Sequence, residues 1–212
     1  MRDIPVFVTE NGAASLILKR IPYTKEAYVE IRDSAAGELL IKECSDFCRM
    51  AGAERVYATG HSCLESYPFY TDILLLTVNK ADLPATDAVA RPATMEELGL
   101  WREIYNDKMK SVPNAAHMTR EQTAKKQQRG AVYMIYRGSE LLGIGAAEHD
   151  TIEAVASVKP GAGRDGVLSI ASVLPADYIQ LQVASINRKA MELYRELGFT
   201  AQEQIARWYQ IF

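Results

Sequence analysis

The stretch VASINRKAMELYRELGF, residues 183–199, decides how this chain is read. It runs from a strand end through a polar cap and an amphipathic helix to a glycine stop and an aromatic re-entry. Asn187 can accept from the first free N–H groups of a helix. Ala190, Leu193, Tyr194 and Leu197 then recur at helical spacing, so one face is apolar. Lys189 and Arg195 interleave with Glu192 and Glu196 and keep the other face soluble. Gly198 supplies the left-handed conformation that ends a helix, and Phe199 packs back as the chain resumes. Any α/β protein could hold such a helix, so its neighbours must say more.

Just upstream, YIQLQV (178–183) alternates as a strand. Before it comes the one glycine-rich loop, GAGRDG (161–166), with a short helix predicted over 167–174 and cut by Pro175. Gly161, Gly163 and Gly166 satisfy GxGxxG after a strand and before a helix, the pattern of a dinucleotide-binding turn. The motif sits late, after a hairpin, and the next strand ends in Ala184-Ser185 with no acid for a ribose; both count against that reading. The physics of the loop is independent of the name. A glycine-rich turn feeding a helix exposes unpaired N–H groups at a positive dipole end, and Arg164 adds a cation, so a pyrophosphate could bind there. The plain alternative is a tight strand-to-helix turn.

Further upstream, AVYMIYR (131–137) and ELLGIGAAE (140–148) form a hairpin pattern around Gly138-Ser139, and 151–158 is a third strand. Helices are predicted from Met95 to about Met109, with Leu98, Trp101, Ile104 and Tyr105 on one face, and over 119–128. Thr94 and Glu97 make a capping box. From Val89 the order is β, α, α, β, β, β, α, β, α, β. Residues 79–88, NKADLPATDA, read as a linker. The first eighty residues form a smaller α/β unit: strands at 5–9, 15–21 and 27–31, a helix at 36–51 stopped by Gly52, then strands at 55–59 and 72–78. The predicted domains are 1–80, a linker at 81–88, and 89–212.

The 212 residues suffice for one large or two small domains. With 48% hydrophobic and 24% charged residues and a net charge of −3, nothing calls for nucleic acid or an anionic membrane as partner. No apolar run is long enough to span a bilayer. The opening MRDIPVFVTENG reads as neither signal nor transit peptide, so a cytoplasmic protein is expected. Cys44, Cys48 and Cys63 cannot all pair, and reduced thiols are the expectation. With His61 they could be read as zinc ligands, but the spacing fits no established pattern and buried free cysteine is common; no metal is expected. The apolar C-terminal strand, QIARWYQIF (204–212), could pair with a second copy in a homodimer.

The element order from Val89, the loop and the order Asn187, Ala190, Leu193-Tyr194, Leu197-Gly198-Phe199 resemble the GNAT superfamily of N-acetyltransferases. The family's loop reads V-x-P-x-x-Q/R-G-x-G-hydrophobic-G/A. Val158, Pro160, Gly166 and Val167 match it. Gly163 stands at the Gln/Arg position, Arg164 at the first glycine and Leu168 at the last small residue.

The resemblance implies an α/β (α+β) fold, a mixed sheet flanked by helices, and transfer of acetyl from acetyl-CoA, a co-substrate, to an amine of a small molecule or peptide in a ternary complex. It places Ser157, Val158, Gly163, Arg164, Gly166, Val167 and Asn187 at the cofactor. Tyr194 would protonate the departing thiolate; its bland alternative is a core aromatic. Glu153 and Glu148 are the carboxylates placed to serve as base, or are solvent-facing charges. Strand alternation puts Glu153, Val155 and Ser157 on one face; His149 lies at a strand end. The N-terminal unit resembles the second half of the same fold, with AAGEL (35–39) in place of the cofactor loop, and should be degenerate. The rival function is a catalytically silent CoA-binding or protein-interaction module.

Overall fold

The computed structural model describes residues 5–113 and 115–212. In chain order the elements are β1 (Val6–Thr9), β2 (Gly12–Ile17), α1 (Ile21–Thr24), β3 (Glu26–Ser34), α2 (Gly37–Met50), β4 (Arg55–Thr59), β5 (Phe69–Asn79), β6 (Val89–Pro92), α3 (Leu98–Met109), α4 (Arg120–Gln128), β7 (Val132–Arg137), β8 (Glu140–Glu148), β9 (Thr151–Ser157), α5 (Gly163–Val173), β10 (Tyr178–Ala184), α6 (Arg188–Glu196) and β11 (Thr200–Gln210). From Val89 onward this is the order the sequence predicts. Among the described residues no helix is long and apolar enough to cross a membrane.

The chain divides into two compact units. The first holds the chain up to Ile73, residues 115–117 and Gln204–Phe212. Its strands run β1-β2-β3-β4-β11-β5. An Asn-Gly turn joins β1 to β2, with Gly12 at φ +145°. The crossover β3-α2-β4 returns the chain parallel to itself, as the helix expected between residues 27 and 60 requires. Ala27, Val29 and Ile31 bury one face of β3 under Leu40, Ile41, Cys44 and Cys48 of α2. The other face carries Glu26 and Tyr28. Glu26 takes the buried Arg20 guanidinium at 2.9 Å and Arg55 at 3.2 Å, so neither buried charge stands alone. The C-terminal strand is not a free edge, contrary to expectation: β11 pairs with β4 and lies between β4 and β5.

The second unit orders its strands β5-β10-β9-β8-β7-β6. One core lies under α5 and α6, around Ile135, Ile152, Ile170 and Ile179. The other lies under α3, around Trp101, Met134 and Ile144. Trp101 stacks on Tyr105 at 5.1 Å, and its indole donates to the Gly145 carbonyl at 3.2 Å, satisfying the one polar atom it buries. The capping box expected at Thr94 is half formed: Glu97 accepts from the Thr94 N–H at 2.9 Å, but α3 starts only at Leu98. Thr119 and Gln122 form the complete box, at the start of α4.

Candidate functional site

Strands β9 and β10 run parallel but pair only at Gln180↔Thr151 and Leu181↔Ile152. Beyond Ile152 the ladder stops, leaving an opened seam inside the sheet. On its other side β9 stays paired with β8 through Gly143↔Ser157. The Val158 N–H continues that pairing, donating to the Leu142 carbonyl at 2.8 Å. Antiparallel alternation therefore turns the N–H and C=O of Val155 and Ser157 toward the seam. Of the two backbone amides expected to hold a ligand, Ser157 faces it and Val158 is engaged elsewhere.

The seam ends at the start of α5. This helix begins at Gly163, not at Val167 as the sequence predicts, so Gly163, Arg164 and Gly166 lie in its first turn rather than in a loop. A glycine is needed at 166 because a Cβ there would stand 2.7 Å from Val155 Cγ1; the helix lies that close to β9. Ala162 caps the helix without a side-chain bond, and the first intrahelical N–H bond comes from Gly166 to the Ala162 carbonyl at 2.9 Å. The N–H groups of residues 163–165 are the orphan donors of this terminus. Arg164 is exposed, with no ion-pair partner among the described residues. Asp165 would oppose an anion here, but Arg137 pairs with it at 2.9 Å and Thr86 donates to it at 2.9 Å. Val167 is buried beneath the helix.

Within residues 183–199 the chain forms α6 behind the Asn187 cap, as the sequence predicts. Asn187 Oδ1 accepts from the Ala190 N–H at 3.3 Å. Gly198, at φ +87°, ends the helix, with Gly198 N–H donating to Arg195 and Phe199 N–H to Tyr194, the paired bonds of a Schellman turn. Met191, Leu193 and Tyr194 are only partly buried, so the apolar face of α6 is incompletely covered. Leu193 reaches toward Gly163, placing that face beside the α5 terminus. Burial pushes the Tyr194 phenol up to about 12.

The carboxylates are arranged differently from the expectation. The β8–β9 register shifts between Ala146 and Ala147: Ala146 pairs with Ala154 and Ala147 with Ile152, leaving Glu153 as a bulge. The bulge turns Glu153 toward α4, where its Oε2 meets Lys126 Nζ, while Val155 faces α5. Strict alternation, which put Glu153 with Val155 and Ser157, fails here because a bulge adds one residue to the count. Glu148 lies 3.9 Å from Arg129, also from the end of α4, and His149 sits in the tight turn after β8 at φ +58°. Lys126 and Arg129 lie three residues apart at the end of a polar helix, a pattern that does not announce a partner.

In the first unit the corresponding positions are closed. β3 and β4 pair without a break from Glu26↔Arg55 to Glu30↔Thr59. A Cβ on Gly37, at the start of α2, would stand 2.6 Å from Cys63 Sγ. His61 Nδ1 is 3.0 Å from that sulfur. Cys44 and Cys48 sit in the core beneath α2, with burial pushing their thiols up to about 12 and about 11. Cys44 is seven residues beyond Gly37, roughly 10 Å along the helix, so it does not join Cys63 and His61. Among the described residues no group of three or more potential ligands could hold a metal.

The sequence matches no family model and no curated protein. Solved structures do match. A GCN5-related N-acetyltransferase from Sphaerobacter thermophilus aligns with a TM-score of 0.59 at 14% identity, over 94% of this chain and 76% of its own. Another from Kribbella flavida gives 0.54 at 16%, over 99% and 89%. A functionally unknown conserved protein from Staphylococcus epidermidis gives 0.57 at 10%, over 99% and 94%. At these identities the likeness establishes the fold alone: a mixed sheet flanked by helices, as in the two acetyltransferases.

Proposed function

We propose that the chain is an N-acetyltransferase that passes acetyl from acetyl-CoA to a primary amine of a small molecule or peptide by direct attack in a ternary complex. One observation carries this reading: the seam between β9 and β10 opens onto the uncapped N-terminus of α5. The residues present suit the co-substrate. An amide-bearing arm can pair with the outward backbone of Val155 and Ser157 like an added strand. A diphosphate suits the N–H groups of residues 163–165, with Arg164 as counter-charge and Asp165 already neutralised. The half-covered face of α6 suits the apolar part of the same arm. Acetyl-CoA supplies an activated thioester.

The chain's own residues then handle protons. Tyr194 holds a proton that a departing thiolate can take; a phenol is protonated at neutral pH at its ordinary pKa of about 10, and burial raises it further. Glu153 or Glu148 accepts the proton of the attacking amine. Each is paired with a cation, Glu153 with Lys126 of α4 and Glu148 with Arg129 at its C-cap, and has to leave that pair to take the proton. In this reading the second unit is the acetyltransferase domain and the first a degenerate GNAT-like unit, supported by the parallel β3-α2-β4 crossover without a seam.

The second reading, a catalytically silent module, draws on Arg164 in a glycine position and on the Val158 amide being engaged. Calorimetric titration with acetyl-CoA, followed by an amine-panel assay, separates the two. Binding with a dissociation constant between about 1 μM and 1 mM is expected, weakened roughly tenfold by Arg164→Glu. No heat at millimolar acetyl-CoA defeats the enzyme reading, and binding without turnover of any amine favours the silent module.

A further inference from the structure

The bulge that turns Glu153 to Lys126 also sets that pair at the head of the seam. The last rung of the β9–β10 ladder is Leu181↔Ile152, so Glu153 and Gln182 are the first residues past it on the two strands. Ile179, Leu181 and Val183 are buried in the core under α5 and α6. Alternation therefore turns Gln180 and Gln182 to the opposite face, the one on which Lys126 meets Glu153. Gln180 is already engaged, donating to Asp150 at 3.0 Å and to Thr151 at 3.1 Å. Gln182 is exposed. The register thus brings a cation, an anion and a neutral amide to the place where the sheet opens.

The pair is not an ordinary surface contact. The Lys126 side chain is 21% exposed, against 46–66% for the other lysines paired with carboxylates among the described residues. An acceptor ammonium approaching Glu153 meets Lys126 as a like charge, which disfavours amines whose only charge is positive. An acceptor with its own carboxylate avoids that penalty. Its carboxylate takes Lys126 while its ammonium takes Glu153, and neither charge of the pair is left alone. Because the charges of the pair touch, those of the acceptor must stand equally close. In an α-amino acid the nitrogen and the carboxylate oxygens are about 3 Å apart by standard bond lengths. Longer ω-amino acids hold them farther apart, and the N-terminal residue of a peptide has given up its carboxylate to an amide.

We infer that the acceptor is a free α-amino acid, held by Lys126 at its carboxylate and by Glu153 at its amine, with Gln182 lining the same opening. This rests on the acetyltransferase reading and narrows it, making Lys126 the residue that selects the acceptor. On transfer the ammonium gives one proton to Glu153, which passes it to water. The N–C bond forms at the acetyl carbonyl as the C–S bond breaks. Tyr194 protonates the thiolate, and the second amine proton restores the phenol. The products are an N-acetylamino acid and CoA.

The test is a matched acceptor panel with acetyl-CoA: the common L-α-amino acids, the amide of each, and the amine that lacks the carboxylate, with products measured by mass spectrometry. At least one amino acid should be acetylated with kcat/KM about tenfold or more above its own amide and amine. Lys126→Gln should cut that preference by about tenfold or more, lowering kcat/KM for the amino acid chiefly through KM and raising it for the amide and amine. A lysine that only braced the fold would lower all three alike. Saturation-transfer NMR on the chain without co-substrate gives a second readout. The preferred amino acid should show contact that its amide lacks and that Lys126→Gln abolishes. Amides or plain amines acetylated as well as the amino acids overturn the inference and leave the acetyltransferase reading in place. So does a Lys126→Gln chain that changes every acceptor by the same factor. Binding of acetyl-CoA with no acceptor turned over removes both.

Discussion

A phenol that burial lifts to about 12 keeps its proton well past neutrality, which is the state a general acid needs. Tyr194→Phe keeps the ring against Phe199, 5.6 Å away, and removes only the hydroxyl. We expect kcat to fall by about 10²- to 10⁴-fold in an amine assay with affinity for acetyl-CoA changed less than about threefold. An unchanged kcat takes Tyr194 out of the mechanism. The same shift has a stability consequence. Its folded pKa lies above the ordinary phenol value of 10, so its stabilisation is complete below pH 10 and lost as pH rises toward 12. Alkaline denaturation of wild type should therefore show a loss between pH 10 and 12 that Tyr194→Phe shows less of. Glu97 works in the opposite sense. The Arg91 guanidinium, bonded to both carboxylate oxygens, holds it down at about 2. That stabilisation is present above pH 4.5 and disappears as pH falls toward 2. The ion pair is partly open to solvent, so Glu97→Gln should cost only about 1 kcal/mol near pH 6 by urea melts, with no difference from wild type near pH 2.

Among the elements, α5 and β9 show what the sequence could and could not reveal. The glycine at 166 is legible as a glycine, but its purpose depends on Val155 standing under it. Gly166→Ala should destabilise the second unit by about 1–3 kcal/mol, because the helix must lift from β9. Val155→Ala in the same chain should recover most of that loss, and calorimetric melting of the single and double variants measures it. If Val155→Ala adds its own cost instead, the contact at 166 is not the cause. Helix α6 was readable in full, since cap, stripe and stop lie within one local stretch whose signals agree. Propensity sets the start of α5 too late because glycine is a poor helix former, yet packing against β9 rewards a residue without a side chain at 166. The bulge at Glu153 was unreadable: it arises from how β8 and β9 register, not from any residue between Thr151 and Ser157. Its effect is large all the same, since it alone sends Glu153 to Lys126.

At the scale of the molecule, two units each contain a parallel strand pair joined through a helix, and only one pair is open. In the second unit the ladder ends after Leu181↔Ile152, beside a helix whose first N–H groups are free. In the first, the ladder runs unbroken from Glu26↔Arg55 to Glu30↔Thr59, and Cys63 lies against the first residue of the helix. To admit an arm between β3 and β4, the first unit would have to break paired backbone bonds in a buried sheet. Each broken pair leaves groups unsatisfied at about 1–3 kcal/mol apiece. Binding energy for a single ligand would be consumed before any contact was gained. Acetyl-CoA should thus bind once per chain. Isothermal titration of the full chain should give a stoichiometry of about 1, and Cys63→Gly, which empties the space before α2, should leave it there. Saturation at two equivalents would mean that the first unit opens in solution, and a second site appearing only in Cys63→Gly would mean that the sulfur, rather than the closed ladder, excludes the ligand.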